Sequence, residues 1–86
     1  MPEISRFLGI VIYMYFNEHQ PPHFHAEYNE FKASIGIKNL GLIEGRLPAK
    51  VMSLVVEWAQ VHQEELLENW NSLQTTGEYR KIKPLV

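Results

Sequence analysis

The sequence predicts an α+β fold in which an antiparallel β-meander of about four strands packs on one long C-terminal α-helix. Three observations support this prediction. Residues 7–16 form an uninterrupted apolar run, residues 23–37 alternate between apolar and polar side chains, and after residue 48 the apolar side chains recur every three or four positions. A period of two is typical of strands, and a period near 3.6 is typical of an amphipathic helix.

The first strand is predicted in the apolar run Phe7–Phe16, which is apolar on both alternating faces and therefore suits a strand covered on two sides. A helix that crosses a bilayer needs about 20 apolar residues, so this run is too short to be one. Pro21 and Pro22 follow it, and two consecutive prolines cannot continue a hydrogen-bonded ladder. The segment before residue 23 is therefore predicted to be a loop of restricted shape.

A hairpin is predicted around Asn29-Glu30, with Tyr28 opposite Phe31 and His25 opposite Ser34. This register matches apolar with apolar positions, and a slip of one residue would reverse every side chain. One face then carries Phe24, Ala26, Tyr28, Phe31, Ala33 and Ile35. The other face is polar and ionisable, and it carries His23, His25, Glu27, Lys32 and Ser34.

The remaining elements are a fourth strand around residues 42–44, a helix over 48–75 and a short tail over 77–86. Pro48 suits the first turn of a helix, and Gly77 suits its end. The sheet is expected to span residues 4–46, and residues 1–86 are expected to form one domain, because a chain of 86 residues has room for a single core.

Composition excludes several classes of function. The chain has no cysteine, which excludes disulfides, thiolate nucleophiles and thiolate metal sites. It also has no aspartate, which excludes a two-metal nuclease built on clustered aspartates. A net charge of -2 gives no basic footprint for bulk DNA binding. With no apparent export signal, the cytoplasm is the expected location, and neither membrane association nor a cofactor is predicted.

The histidines at positions 19, 23 and 25 are the most distinctive chemical feature. His23 and His25 stand two apart on a strand, so their imidazoles share one face. Three hypotheses follow from the residues. His23 and His25 could act as acid and base, with Lys32 and Ser34 across the hairpin, in a phosphodiester cleavage without metal. His19, His23 and His25 could instead hold a metal, with Glu27 nearby. The third hypothesis is a solvated strand face with a Glu27–Lys32 pair.

Other candidates lie in the C-terminal half. Trp58 and Trp70 fit either the core or an anchor for a partner. Arg80 and Lys81 fit either a small RNA-binding patch or a solvated tail. His62 falls within the apolar stripe of the predicted helix, where a buried histidine satisfied by a hydrogen bond is the expected state.

Several motifs together resemble the small bacterial proteins of the family called domain of unknown function 4160. They are Pro21-Pro22-His23-Phe24-His25, Ile43-Glu44-Gly45-x-Leu47-Pro48 and Glu65-Leu66-x-x-Asn69-Trp70. The resemblance implies a bacterial or phage origin and a gene beside one for another small protein, an arrangement similar to toxin–antitoxin pairs. It implies a chain that binds a small cognate protein. The alternatives are a ribonuclease-like toxin using His23 and His25, and a histidine-based metal-binding regulator. A second copy of the chain, forming a homodimer, and RNA are alternative partners.

Overall fold

The computed structural model describes residues 2–86, which form one antiparallel sheet followed by two helices. The strands lie in the sheet in the order of the chain, as a meander. The elements are β1 (Glu3–Phe7), β2 (Ile10–Tyr13), β3 (His23–Tyr28), β4 (Phe31–Gly36), β5 (Leu42–Gly45), α1 (Ala49–Val61) and α2 (Gln63–Thr75). The α+β class and the meander are therefore confirmed. Two details of the prediction are wrong, since the sheet has five strands and the helical region is divided.

The additional strand is β1, which begins before the apolar run and includes only Phe7 from it. The run contains a tight turn at Leu8 and Gly9, and Phe7 pairs with Ile10 across it. Both turn residues have positive φ, 52° at Leu8 and 79° at Gly9. Turns of this kind match the twist of the flanking strands, and glycine adopts such angles without a steric penalty. The apolar run hides the turn because residues on either side of it enter the same core.

The predicted helix over 48–75 is interrupted at His62, although its outer limits agree closely with the ends of α1 and α2. His62 has φ -117° and ψ 22°, which is outside the helical range. Its backbone N–H donates to the Ala59 carbonyl at 3.0 Å, and its carbonyl accepts the Leu66 N–H at 2.9 Å. One residue thus ends α1 and begins α2 without a proline or glycine. Within residues 2–86 no helix is both long and apolar enough to cross a membrane.

The β3–β4 hairpin has the predicted register at every pair, from Tyr28 opposite Phe31 to His23 opposite Gly36. On its apolar face Phe24, Ala26 and Ile35 are fully buried, while Tyr28 and Phe31 beside the turn are half-buried. The helices cover this face, and Trp58 and Trp70 are among the largest buried side chains. The opposite face of β3 is only half-buried. The sheet therefore directs the histidines away from its core.

The C-terminal strap, residues 77–86, has no regular secondary structure but returns along β1. The Ile82 N–H donates to the Ile4 carbonyl at 2.9 Å, and the Ile82 side chain is buried. The Asn69 side chain donates to the Arg80 carbonyl at 2.8 Å and accepts the Arg80 N–H at 2.9 Å. The Trp58 indole donates to the Lys83 carbonyl at 2.8 Å. The strap is thus bound to the sheet and both helices.

The Asn69→Ala variant tests this anchoring. Loss of the side chain leaves two strap backbone groups without their partner, and we expect a loss of about 1–3 kcal/mol in the free energy of unfolding. Urea unfolding followed by circular dichroism measures it. Asn71→Ala, at an exposed position of the same helix, is the matched control. Equal stability of the two variants would contradict a structural role for Asn69.

Candidate functional site

The candidate site is built on the first half of β3. His23 and His25 alternate with Phe24 and Ala26, which are completely buried, so core packing fixes the face to which both imidazoles point. Their side chains are only 12% and 15% exposed. The predicted location of the pair on one face of β3 is confirmed. A solvated strand face does not describe these two rings.

The loop between β2 and β3 brings Glu18 against both rings. One carboxylate oxygen, Oε1, lies 2.6 Å from His25 Nε2, and the other, Oε2, lies 3.2 Å from His23 Nε2. The end of the loop is tied to the sheet region because the Pro22 carbonyl accepts the Ile37 N–H at 3.0 Å. The Glu18 side chain is 19% exposed. We call Glu18, His23 and His25 the imidazole–carboxylate cluster.

A second set of contacts, made by the Nδ1 atoms, orients the two rings. His23 Nδ1 lies 2.8 Å from the Pro21 carbonyl oxygen, and His25 Nδ1 lies 3.2 Å from Ser34 Oγ. A carbonyl oxygen can only accept, so Nδ1 of His23 must carry a proton. Both Nε2 atoms are consequently directed at the same carboxylate.

The contact between His23 and Glu18 requires a proton or a metal ion between its two facing atoms. With its proton on Nδ1, a neutral His23 presents the lone pair of Nε2 to the Glu18 carboxylate, which is itself an acceptor. Two acceptors 3.2 Å apart repel each other unless a cation lies between them. A proton shared by the imidazole and the carboxyl group satisfies this requirement, and so does a metal ion. The geometry therefore favours a hydrogen-bonded or metal-ligating His23 over a free surface histidine.

Aromatic rings enclose the cluster on the sides that face the protein. Tyr13 stacks on His25 with centroids 5.2 Å apart and planes inclined by 12°. Tyr15 meets the same ring edge-on at 4.9 Å. Trp70, from α2, lies 5.1 Å from the His23 ring. These contacts restrict rotation of the imidazoles. Trp70 is itself buried, so its ring is not accessible to a partner.

The cluster has the donor set of a metal site. One ligand atom from each of its three residues can be chosen so that all lie within 4.8 Å of one another. Imidazole nitrogen and carboxylate oxygen are the usual non-thiolate ligands of Zn²⁺ and related ions, with bonds of about 2.0–2.2 Å. Ligating histidines also donate their other N–H to a carbonyl, carboxylate or water, as His23 does to Pro21. Two tetrahedral ligands with such bonds lie roughly 3.4 Å apart. His25 Nε2 and Glu18 Oε1, which are 2.6 Å apart, would therefore separate slightly to hold an ion.

Other predicted residues lie outside the cluster. Lys32 Nζ is 3.9 Å from Glu27 Oε2, so these two residues pair with each other across the hairpin. His19 is exposed and does not belong to the cluster, where Glu18 stands beside His23 and His25. Ser34 does belong to the surroundings of His25, as the hairpin register requires.

The C-terminal candidates have structural contacts of their own. Lys81 Nζ is 4.0 Å from Glu3 Oε2, and the backbone of Arg80 is held by Asn69. His62 Nδ1 lies 2.5 Å from Glu65 Oε1, and its ring is 5.4 Å from that of Trp58. His62 is thus half-buried and satisfied by a hydrogen bond, as expected, and it does not join the cluster.

Glu18 is the functional candidate that sequence analysis missed. It lies in an irregular loop, where no periodicity indicates the direction of a side chain. The available signal is its place five residues before His23, in the short segment between the apolar run and the proline pair. A carboxylate at this position is a possible third ligand in addition to Glu27.

The fold and the cluster define a small α+β protein with a two-histidine, one-carboxylate site on a meander sheet. The family model described as Domain of unknown function (DUF4160) matches residues 9–71, which include β2 to β5, all of the cluster and most of both helices. The chain therefore belongs to this family, and the resemblance predicted from the motifs is confirmed. No curated protein and no solved structure matches the chain.

The titration of Tyr13 provides a test of the packing around His25. Burial, with smaller contributions from Tyr15 and Glu27, raises the pKa of Tyr13 to about 12. We expect an ultraviolet titration in EDTA to show one of the four tyrosines ionising near that value, and Tyr13→Phe to remove this component.

The sign of the effect on stability follows from the same shift. Because the folded-state pKa lies above the unfolded value of 10.0, the stabilisation is complete below pH 10 and is lost between pH 10 and about 12. Tyr13→Phe should lack this decline, whereas Tyr79→Phe, at a more exposed position, should retain it. A normal titration of all four tyrosines would contradict the described packing.

Proposed function

We propose that this protein binds a metal ion between the Glu18 carboxylate and the Nε2 atoms of His23 and His25. The observation that carries the proposal is the hydrogen bond from His23 Nδ1 to the Pro21 carbonyl, because it leaves the Nε2 lone pair directed at the carboxylate. A divalent cation satisfies both acceptors at once. The hydrogen bond itself is the outer contact that ligating histidines usually make.

Zn²⁺ is one of the common ions that this donor set fits. Imidazole suits zinc, copper, iron and nickel, whereas magnesium and calcium prefer sites made of oxygen atoms. Three protein ligands leave at least one coordination position for water or an external molecule. This is the arrangement found in catalytic zinc sites. The exposed fractions of the three side chains, 12–19%, leave a path to solvent.

Phosphodiester cleavage without metal is supported less well. In that hypothesis a phosphate lies between His23 and His25, but the Glu18 carboxylate occupies the space at both Nε2 atoms. Two anions in the same place repel each other. Lys32, the expected stabiliser of phosphate charge, lies beside Glu27. A metal ion in the cluster would reverse this charge and allow an anionic ligand to approach.

Binding of a small cognate protein is a second proposed function, and it is compatible with the first. The family resemblance suggests a two-gene module similar to toxin–antitoxin pairs, and the surface offers apolar side chains where the helices end. Val61, at the end of α1, is 74% exposed, and Tyr79 in the strap is 40% exposed. Exposed apolar side chains can contribute to a protein contact where they form part of a contiguous apolar patch.

Calorimetric titration of the full chain with ZnCl₂, after removal of any tag, tests metal binding. We expect one ion per chain, with affinity that falls at lower pH because protons compete for the ligands. Glu18→Gln should weaken binding by about a hundredfold, since it removes a charged ligand, and a change in Trp70 fluorescence should accompany binding in the parent chain.

The matched control is Glu65→Gln, which alters the only other close histidine–glutamate pair described in residues 2–86. Its zinc affinity should equal that of the parent chain. Absence of saturable binding, or an equal loss in both variants, would overturn the proposed metal site.

Co-purification tests the second proposal. When the chain and the product of its neighbouring gene are produced together in the cytoplasm of a bacterial host, we expect one complex on gel filtration. Val61→Glu should weaken the complex, because it places a charge in the apolar contact. Gln60→Glu, at an exposed neighbouring position, is the control. Separate elution of the two proteins at micromolar concentration would contradict the proposal.

A further inference from the structure

The two edges of the sheet differ in whether another segment of the chain lies beside them. β1 has the strap beside it, through the hydrogen bond from Ile82 to Ile4. β5 pairs only with β4, and all four of its residues are exposed within the described chain. Leu42 and Ile43 are 50% and 49% exposed. An apolar edge strand without a neighbour is a template for pairing with another strand.

The two charged residues on this edge have opposite signs, so two copies of the edge can be complementary to each other. Glu44 and Arg46 flank Gly45, and neither has an oppositely charged partner within 4.0 Å among residues 2–86. Arg46 lies over the Phe31 ring at 5.3 Å, and its N–H donates to the Lys32 carbonyl at 2.9 Å, so it continues alongside β4. The edge therefore presents one negative and one positive side chain on either side of a glycine.

We propose that β5 pairs antiparallel with β5 of a second copy of this chain, about a two-fold axis at Gly45. In this register each Glu44 lies opposite Arg46 of the other copy, and the two contacts are equivalent. Parallel pairing, or an antiparallel register centred on Glu44, would place like charges opposite each other, which is unfavourable. Gly45 has no side chain at the axis, so the two backbones can approach closely.

Contacts within the chain also require glycine at position 45. Its φ is 77°, and an added Cβ would lie 2.1 Å from the Lys32 carbonyl oxygen. The close approach of Gly45 to the backbone of β4 therefore leaves no room for a side chain. One short strand from each copy makes a small interface, and small interfaces form weak, reversible complexes. The proposed dimer should accordingly dissociate on dilution.

This proposal is independent of the metal site. Residues of the imidazole–carboxylate cluster lie on β3 and the loop before it, whereas β5 is two strands away in the sheet. Association is measured in EDTA, so that failure of one proposal leaves the other unaffected.

Sedimentation equilibrium of the full chain between about 10 μM and 1 mM tests it, a range suited to interfaces of this size. The parent chain should change from monomer to dimer across this range. E44R and R46E should each weaken self-association about tenfold or more, because each replaces two opposite-charge pairs by two like-charge pairs. Circular dichroism establishes that each variant is folded.

Mixing the two single variants provides the decisive test of the proposed charge pairs. An equimolar mixture of E44R and R46E restores both opposite-charge pairs in a mixed dimer, and the double variant E44R/R46E restores them in a homodimer. Both samples should associate as the parent chain does. E57R, at an exposed position of α1, is the matched charge control and should not change association.

A parent chain that stays monomeric to 1 mM in this experiment would overturn the proposal. Failure of both the mixture and the double variant to recover association would also overturn the Gly45-centred register. Association unchanged in both single variants would show that another surface is used.

Discussion

The interaction on which the candidate site depends is the bridge from one carboxylate to two imidazoles. Glu18 reaches His23 and His25 from a loop, and it joins that loop to a strand whose other face buries Phe24 and Ala26 completely. A carboxylate removed from water needs charged or hydrogen-bonded partners to compensate for lost solvation. His25 can donate its Nε2–H to Glu18 while its Nδ1 accepts the Ser34 hydroxyl, whereas the contact of Glu18 with His23 needs a further proton or a metal ion.

Sequence patterns predicted the part of this site that follows from regular geometry. The alternation of residues 23–28, together with a two-residue turn at Asn29-Glu30, gave the register that places Ser34 against His25. Such inferences succeed because a strand has only two faces, and a core selects one of them. Pro48, the apolar stripe and Gly77 together indicated both outer limits of the helical region.

The features that the sequence did not predict depend on local backbone angles or on long-range packing. The turn at Leu8 and Gly9 lies inside an apolar run, and the interruption at His62 has no helix-breaking residue, so neither has a compositional signal. Glu18 reaches the cluster through an irregular loop, for which periodicity contains no information. The strap is held by backbone groups, as in the Trp58–Lys83 hydrogen bond, and backbone groups are the same in every sequence.

Two consecutive residues of α2 serve two separate parts of the protein. Trp70 lies against the His23 ring, while Asn69 holds the strap that runs along β1. The imidazole–carboxylate cluster and the far edge of the sheet thus share one helical turn. Displacement of this turn alters both contacts together, so free-energy changes measured at His23 and at Asn69 should not simply add. A double-mutant cycle between the two positions would measure how strongly the cluster and the strap are coupled.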